Sequence, residues 1–401
     1  MFLSLAVLLL AGLLSGWVCR RVHLPALFGM ILSGVLIGPS ALNLLSGSLL
    51  SVSSDLRRIA LIIILIRAGL KLDLKDLKKV GRPAVLMCFL PACCEVLGMV
   101  ILAPLLLGLS RLESAILGAV IAAVSPAVVV PRMIRLIDEG YGSDDGIPQM
   151  ILAGASVDDV FVIVLFTAFT GLALGEDVSL MHLLNVPVSL VTGILAGILC
   201  GLGLTWLFDR SGRTHMQEPV KVMCMCAVCF LLNWLENAQQ AVPFAGLIAI
   251  IVCGTVMKQK NGQLAKELSG VFDRMWVPAE VFLFVLVGAS VAVGSVKDAG
   301  ASAVLLILLA LVFRMAGVFL CTLGTRLSLK ERLFCILAYT PKATVQAAIG
   351  GLPLAMGLSC GSTVLTVSVI AILLTAPLGA FAIDATYRKW LRKSVAPESI
   401  V

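Results

Sequence analysis

Apolar runs interrupted by charged residues or by proline and glycine recur from one end of the chain to the other. They lie near 2–19, 24–38, 56–70, 83–107, 112–131, 148–174, 183–208, 219–235, 243–257, 276–294, 299–324, 333–355 and 361–384. Their lengths cluster around the roughly 17–25 residues that an α-helix needs to cross a bilayer. The pattern predicts an all-α polytopic membrane protein with about thirteen transmembrane helices. The runs 24–38 and 243–257 are short, and tilt or local thinning of the bilayer would accommodate them.

Basic residues test the order of these spans. An N-terminus outside the cytoplasm places Arg20, Arg21, Lys71, Lys75, Lys78, Lys79, Arg82, Arg132, Arg135, Arg210, Arg213, Lys258, Lys260, Lys266, Arg326, Lys330, Arg332, Arg388, Lys389, Arg392 and Lys393 on one side. The opposite loops then receive only Arg57, Arg58, Arg111 and Lys297. That is the positive-inside bias, with the C-terminus in the cytoplasm and the chain in a bacterial-type inner membrane. The first run has its arginines after the apolar stretch and no basic region before it, which is the pattern of a retained helix and not of a signal peptide.

The seventh span works as a connector. Spans one to six and eight to thirteen then overlay as residues 1–174 and 218–385, with 175–217 between them and 386–401 as a short cytoplasmic tail. A shift of seven spans reverses orientation, so the halves form an inverted repeat of the kind that builds secondary transporters. The whole is one transmembrane unit, and the tail holds no GxGxxG run of a nucleotide-binding domain.

Composition agrees. The 401 residues are 60% hydrophobic and 13% charged, where a soluble domain carries roughly 25% charged residues, and the mean hydropathy is +1.08. The twelve cysteines lie mostly inside apolar runs, as small buried hydrophobes do, and outline no disulfide framework. Cys224, Cys226 and Cys229 are close in sequence but lack a second Cys/His pair at zinc-finger spacing. The formal net charge of +7 points to no nucleic acid, because its residues flank membrane spans.

Charges inside the spans carry the chemistry, since each costs roughly 2.5–3.5 kcal/mol at a helix centre. They are Glu95, the adjacent Asp158 and Asp159, Arg314 and Lys342; Arg67 and Glu280 lie nearer the ends of spans. Glu95 and Arg314 occupy counterpart spans of the repeat near mid-length, which predicts a structural ion pair between core helices. Spans five and twelve are also counterparts, and both are interrupted. The first contains AAVSPAVVVPRM with Pro126 and Pro131, the second AYTPKATVQAAIGGLPL with Pro341 and Lys342. Proline removes a backbone donor and frees a carbonyl four residues earlier. Within a bilayer such breaks survive only where they are buried or line a wet cavity. Matching breaks in two halves mark the binding site of a transporter.

Neighbouring residues on a helix point about 100° apart, so Asp158 and Asp159 address different partners. One can pair with Lys342, which leaves the other for a cation or a proton. Burial and an adjacent like charge favour the protonated form of a carboxylate. A carboxylate poised in this way holds a proton or an alkali cation but not both, which is the requirement of an antiporter. Ser125, Ser156, Thr340 and the carbonyls freed at the breaks would add neutral oxygen ligands. A membrane aspartyl protease needs acids facing each other across two helices, which adjacent residues cannot provide. A sodium-coupled symporter of an organic anion is the main competing reading. An open channel fits breaks at the midplane poorly.

SVDDV (156–160), SPAVVVP (125–131) and TPKATVQAAIG (340–350) together resemble the monovalent cation/proton antiporters, nearest the NHA branch of sodium/hydrogen exchanger 9B-like proteins. The resemblance runs over nearly the whole chain. It implies an NhaA-like fold, sodium or lithium exchanged for protons, and no enzymatic activity or cofactor. It assigns the cation- and proton-carrying role to Asp159, which would hold the Na+ or Li+, and the pairing with Lys342 to Asp158. It makes Glu95–Arg314 the bridge between core helices. It further implies a homodimer, elevator-type movement of a core domain and a part in pH homeostasis.

Overall fold

A computed structural model describes residues 1–22, 24–71, 81–142, 144–175, 180–210, 216–238, 244–291 and 293–393, with the backbone alone at 156, 180–187, 190, 237–238 and 293–299. Lys75, Lys78, Lys79 and Arg213, and the side chains of Ser156 and Lys297, lie outside the described residues. The described residues form eighteen helical segments and no strand beyond an isolated bridge between Tyr141 and Lys393. In order they are α1 (Phe2–Arg21), α2 (Ala26–Ile37), α3 (Gly47–Leu50), α4 (Ser53–Lys71), α5 (Arg82–Met87), α6 (Leu90–Leu107), α7 (Arg111–Ile121), α8 (Pro126–Asp138) and α9 (Ile147–Leu174). The second half of the chain follows with α10 (Leu180–Arg210), α11 (Glu218–Ala238), α12 (Gly246–Lys260), α13 (Gly262–Ala289), α14 (Val293–Thr322), α15 (Leu329–Ala338), α16 (Thr344–Ile349), α17 (Leu352–Ala355) and α18 (Gly361–Trp390). Eight stretches are long and apolar enough to cross a membrane by length and composition, which makes this a multi-pass membrane protein.

The chain separates into two compact units. The first holds residues 1–47, 75–162 and 284–401; the second holds 48–74 and 163–283. In the second unit small residues decide the packing. Gly193, Gly197 and Gly201 of α10 each lie against α12, where an added Cβ would come within 2.5 Å of Ala245 O, 2.5 Å of Ala249 O and 2.7 Å of Cys253 O. The partners advance in step with the glycines, so the two helices run parallel with one ridge of small residues between them. The small-residue stripe of α10 thus packs within one chain. The polar stretch 258–276 ends α12 at Lys260 and from Gly262 continues into the next apolar run as the single helix α13.

In the first unit, α6 and α14 pack antiparallel through small residues. A Cβ on Gly98 would meet Phe313 at 2.8 Å, and one on Gly317 would meet Pro91 at 2.7 Å. The helices α7 and α15 begin alike. Each opens with a capping box, Ser110 with Glu113 and Ser328 with Glu331, in which the serine hydroxyl and the glutamate carboxylate satisfy backbone N–H groups that the first turn leaves free. Each then runs for three turns and stops.

An ion cluster outside the apolar run 276–294 joins α4 to α13 in the second unit. Asp273 accepts from Arg67 Nη2 at 2.7 Å and from Lys71 Nζ at 2.6 Å, and the Arg67 guanidinium lies 5.2 Å from the Trp276 ring centre. Partial burial alone would raise the Asp273 carboxyl, but Lys71 and Arg67 outweigh it and hold it below its ordinary value. A lowered native value gives stability that is present above the ordinary carboxylate range and is lost as pH falls through the native value. The melting temperature of the native protein in detergent should therefore drop more between pH 5 and pH 3 than that of Asp273→Asn. The difference is small, below about 1 kcal/mol, because the cluster is partly exposed. Parallel pH profiles for the two proteins would remove Asp273 as a contributor.

Candidate functional site

The first unit holds Glu95, Asp158, Asp159, Arg314 and Lys342. The helix that starts at Arg111 ends at Ile121, and residues 122–125 are not helical before α8 resumes at Pro126. Proline at the first helical position suits a helix start, and it pushes the preceding Ser125 into extended backbone. Pro131 does not mark a break; it sits inside α8. In the counterpart span, α15 ends at Ala338 and residues 339–343, including Pro341 and Lys342, separate it from α16. The two breaks touch: Ser125 N donates to Pro341 O at 2.8 Å.

Chain breaks in a dry interior leave backbone groups unpaired, and each needs a partner. Side chains supply them here. Val124 N donates to Asp158 Oδ2 at 2.8 Å. Gln346 Nε2 donates to Ile121 O at 3.0 Å and to Ala123 O at 2.9 Å. Arg314 donates through Nη1 to Ala122 O and through Nε to Tyr339 O at 2.6 Å. Lys342 N donates to Thr375 Oγ1 at 2.9 Å. The carbonyls of residues 121–123 thus each accept from a side chain.

The ionic contacts differ from the expected pairing in one respect. Arg314 meets Glu95 Oε2 at 2.9 Å, as the counterpart positions predict, and also reaches Asp158 Oδ2 at 2.9 Å. Lys342 Nζ lies 2.5 Å from Glu95 Oε2 and makes no hydrogen bond to either aspartate among the described residues. The planar guanidinium carries five donors and can bridge two carboxylates while it caps two carbonyls. The single ammonium of Lys342 shares Glu95 Oε2 with the guanidinium, and Glu95 Oε1 is buried with no hydrogen-bond partner among the described residues. Glu95, Asp158, Arg314 and Lys342 are all wholly buried.

These four charges sum to zero when all are ionised, and Asp159 stands outside the sum. It is half-buried, no hydrogen bond or ion pair joins it to another described residue, and its Oδ1 is a buried atom with no partner. Asp158 Oδ1 and the hydroxyl of Ser125, a wholly buried residue, likewise have no partner. Thr340 is buried and its hydroxyl donates to Leu337 O at 2.8 Å, so only its lone pairs remain for a ligand. Reading single residues missed Gln346, Thr375 and Tyr339. A polar Gln346 in the apolar run TPKATVQAAIG was a visible signal, as were the matched capping boxes.

Fold and site together define a class: a helical membrane protein that concentrates ionisable groups where two interrupted helices meet. The comparisons name the family. The model of the sodium/hydrogen exchanger family (transmembrane) matches residues 5–389. Sodium/hydrogen exchanger 9B2 of Homo sapiens is 33% identical over 384 residues, covering 92% of this chain and 70% of the relative. The 9B2 exchanger of Xenopus tropicalis is 33% identical, covering 98% and 75%. The structure of a sodium proton antiporter from Methanocaldococcus jannaschii at pH 8 superposes with a TM-score of 0.82 at 21% identity, over 97% of this chain and 99% of that one. The chain belongs to the sodium/hydrogen exchanger family, and the likeness to monovalent cation/proton antiporters read from its motifs holds.

Arg314 is the residue on which the site should depend most. Arg314→Ala leaves two buried carboxylates and two carbonyls short of donors, which should cost about 3–5 kcal/mol. Arg314→Lys should not restore stability, because an ammonium cannot span all four acceptors. Thermal unfolding in detergent checks both; a native melting temperature in Arg314→Lys would show that charge alone suffices.

Proposed function

We propose that the protein is a secondary active antiporter that exchanges Na+ or Li+ for protons across a cytoplasmic membrane. The observation that carries this reading is Asp159, one carboxylate beyond a neutral set of four buried charges, with no side-chain partner among the described residues. A single extra negative charge is neutralised by one proton or by one monovalent cation. Binding of either excludes the other, so release on opposite sides couples their movements. Asp158 is tied by Arg314 and by Val124 N–H, and in this reading it remains ionised as a fixed field beside the carrier. Lys342 then acts at one remove, through Glu95. Ser125, Ser156 and Thr340 are proposed as neutral ligands beside the aspartates.

The two compact units support an elevator cycle in which the unit bearing the site moves. In this reading about thirteen spans cross the bilayer, the N-terminus is outside and the C-terminus inside, and the protein works as a homodimer in pH homeostasis. Family membership and the lone carboxylate favour antiport over sodium-coupled uptake of an organic anion, which has no need of the pair.

The test is proton flux in proteoliposomes under an imposed pH gradient, with sodium, lithium or potassium added in turn. Sodium or lithium should collapse the gradient for the native chain. Asp159→Asn should fall to the level of empty vesicles. A response that survives in Asp159→Asn would remove this residue from the centre of the cycle. Silence towards all three ions in the native chain would sink the antiport reading.

A further inference from the structure

Gln346 lies on the short helix α16 with no exposed surface. Its Nε2 donates to the carbonyls of Ile121 and Ala123 across the other break. Both partners are acceptors only, so the nitrogen must face them and the orientation of the amide is fixed. The other amide atom, Oε1, is buried and accepts no hydrogen bond among the described residues. A buried amide oxygen in that state costs free energy unless positive charge or a donor meets it.

Gln346 is also fastened to the break that carries Asp158. Ala123, one of its partners, precedes Val124, whose N–H donates to Asp158. Gln346 and Arg314 together take the carbonyls of residues 121–123, so the backbone at this break is not what a cation finds there. Among the described residues, buried oxygens without a partner around the breaks belong to side chains: Asp158, Asp159 and Ser125 on the first break and its neighbouring helix, Thr344 and Gln346 on the second, and Oε1 of Glu95 beside Lys342. Hard monovalent cations bind through several oxygens, and the number and field of neutral oxygens govern which ion is preferred.

We propose that Gln346 determines the ion preference of this site: its donors hold the end of α7, and its free Oε1 supplies a neutral oxygen to the bound monovalent cation, directly or through one water. This rests on the reading of the site as a cation carrier. A carboxylate alone attracts any small cation; a fixed neutral dipole adds a dependence on ionic radius and on the cost of dehydration.

The test pairs two measurements on the full-length protein and on Gln346→Leu. The first is the rise in melting temperature in detergent produced by sodium or lithium chloride, against choline chloride at equal ionic strength. The second is cation-triggered proton flux in proteoliposomes. Gln346→Leu should need about tenfold more cation for half effect, equal to 1.4 kcal/mol, and its lithium-to-sodium ratio should move by about threefold or more. A purely structural role would lower the melting temperature without moving that ratio. Where the leucine variant does not fold, Gln346→Glu keeps a side-chain oxygen of the same length; a changed ratio supports the proposal and an unchanged one overturns it. Native half-saturation and ratio in a folded Gln346→Leu overturn the role of Gln346 and leave antiport standing. A cation-induced stabilisation that is weakened in Gln346→Leu, with no flux in the native chain, sinks antiport and leaves the ligand. Neither stabilisation nor flux in the native chain overturns both.

Discussion

The buried guanidinium of Arg314 is the interaction on which the centre of the first unit depends. It meets two carboxylates from two helices and caps one carbonyl from each of the two breaks. In an apolar interior each of those groups would be costly alone. Gathered around one planar fork, they satisfy one another. The helices α6, α9 and α14 and both interrupted spans are thereby tied to one point.

That arrangement explains how two helices can stop in the middle of an apolar protein. A helix end leaves unpaired N–H and C=O groups, and lipid offers them nothing. Asp158, Arg314, Gln346 and Thr375 act as caps brought from elsewhere in the chain. A polar site is the by-product: the side chains that repair the breaks are ionisable or amide groups, and they converge. Asp159 is next to this repaired structure without being part of it among the described residues, which is why the proposed exchange is centred on it. The second unit has another logic. There, backbones approach closely because small residues allow it, as the glycine ridge of α10 against α12 illustrates, and Arg67 and Lys71 at the end of α4 meet Asp273 on the polar half of α13.

Much of this was legible in the chain itself. Apolar run lengths, fixed by the thickness of a bilayer, located most of the long helices, though α13 begins at Gly262, well before the run 276–294, and the runs 112–131 and 333–355 each hold more than one helix. Pro126 and Pro341 gave the two breaks, because proline denies the residue before it a helical backbone. The cost of charge in lipid picked out Glu95, Asp158, Asp159, Arg314 and Lys342, and counterpart positions in the repeat paired Glu95 with Arg314. Pro131 misled, since a proline at the sixth position of a new helix lies just past the first turn and removes a single backbone donor. The pairing of Lys342 also misled. Sequence lists the charges but not the distances among them, and a guanidinium with five donors can outcompete an ammonium for a carboxylate.

What the sequence by itself determined is therefore local or statistical: which segments are helical, where they must stop, and which residues are too polar to be there without a reason. Tertiary structure alone decided who satisfies whom. It set Lys342 on Glu95, gave Asp158 to Arg314, closed the carbonyls of the first break with Gln346, and left one carboxylate without a partner. Those outcomes depend on contacts between residues 156 to 247 positions apart, brought within 3.0 Å by helix packing, and no spacing along the chain encodes them.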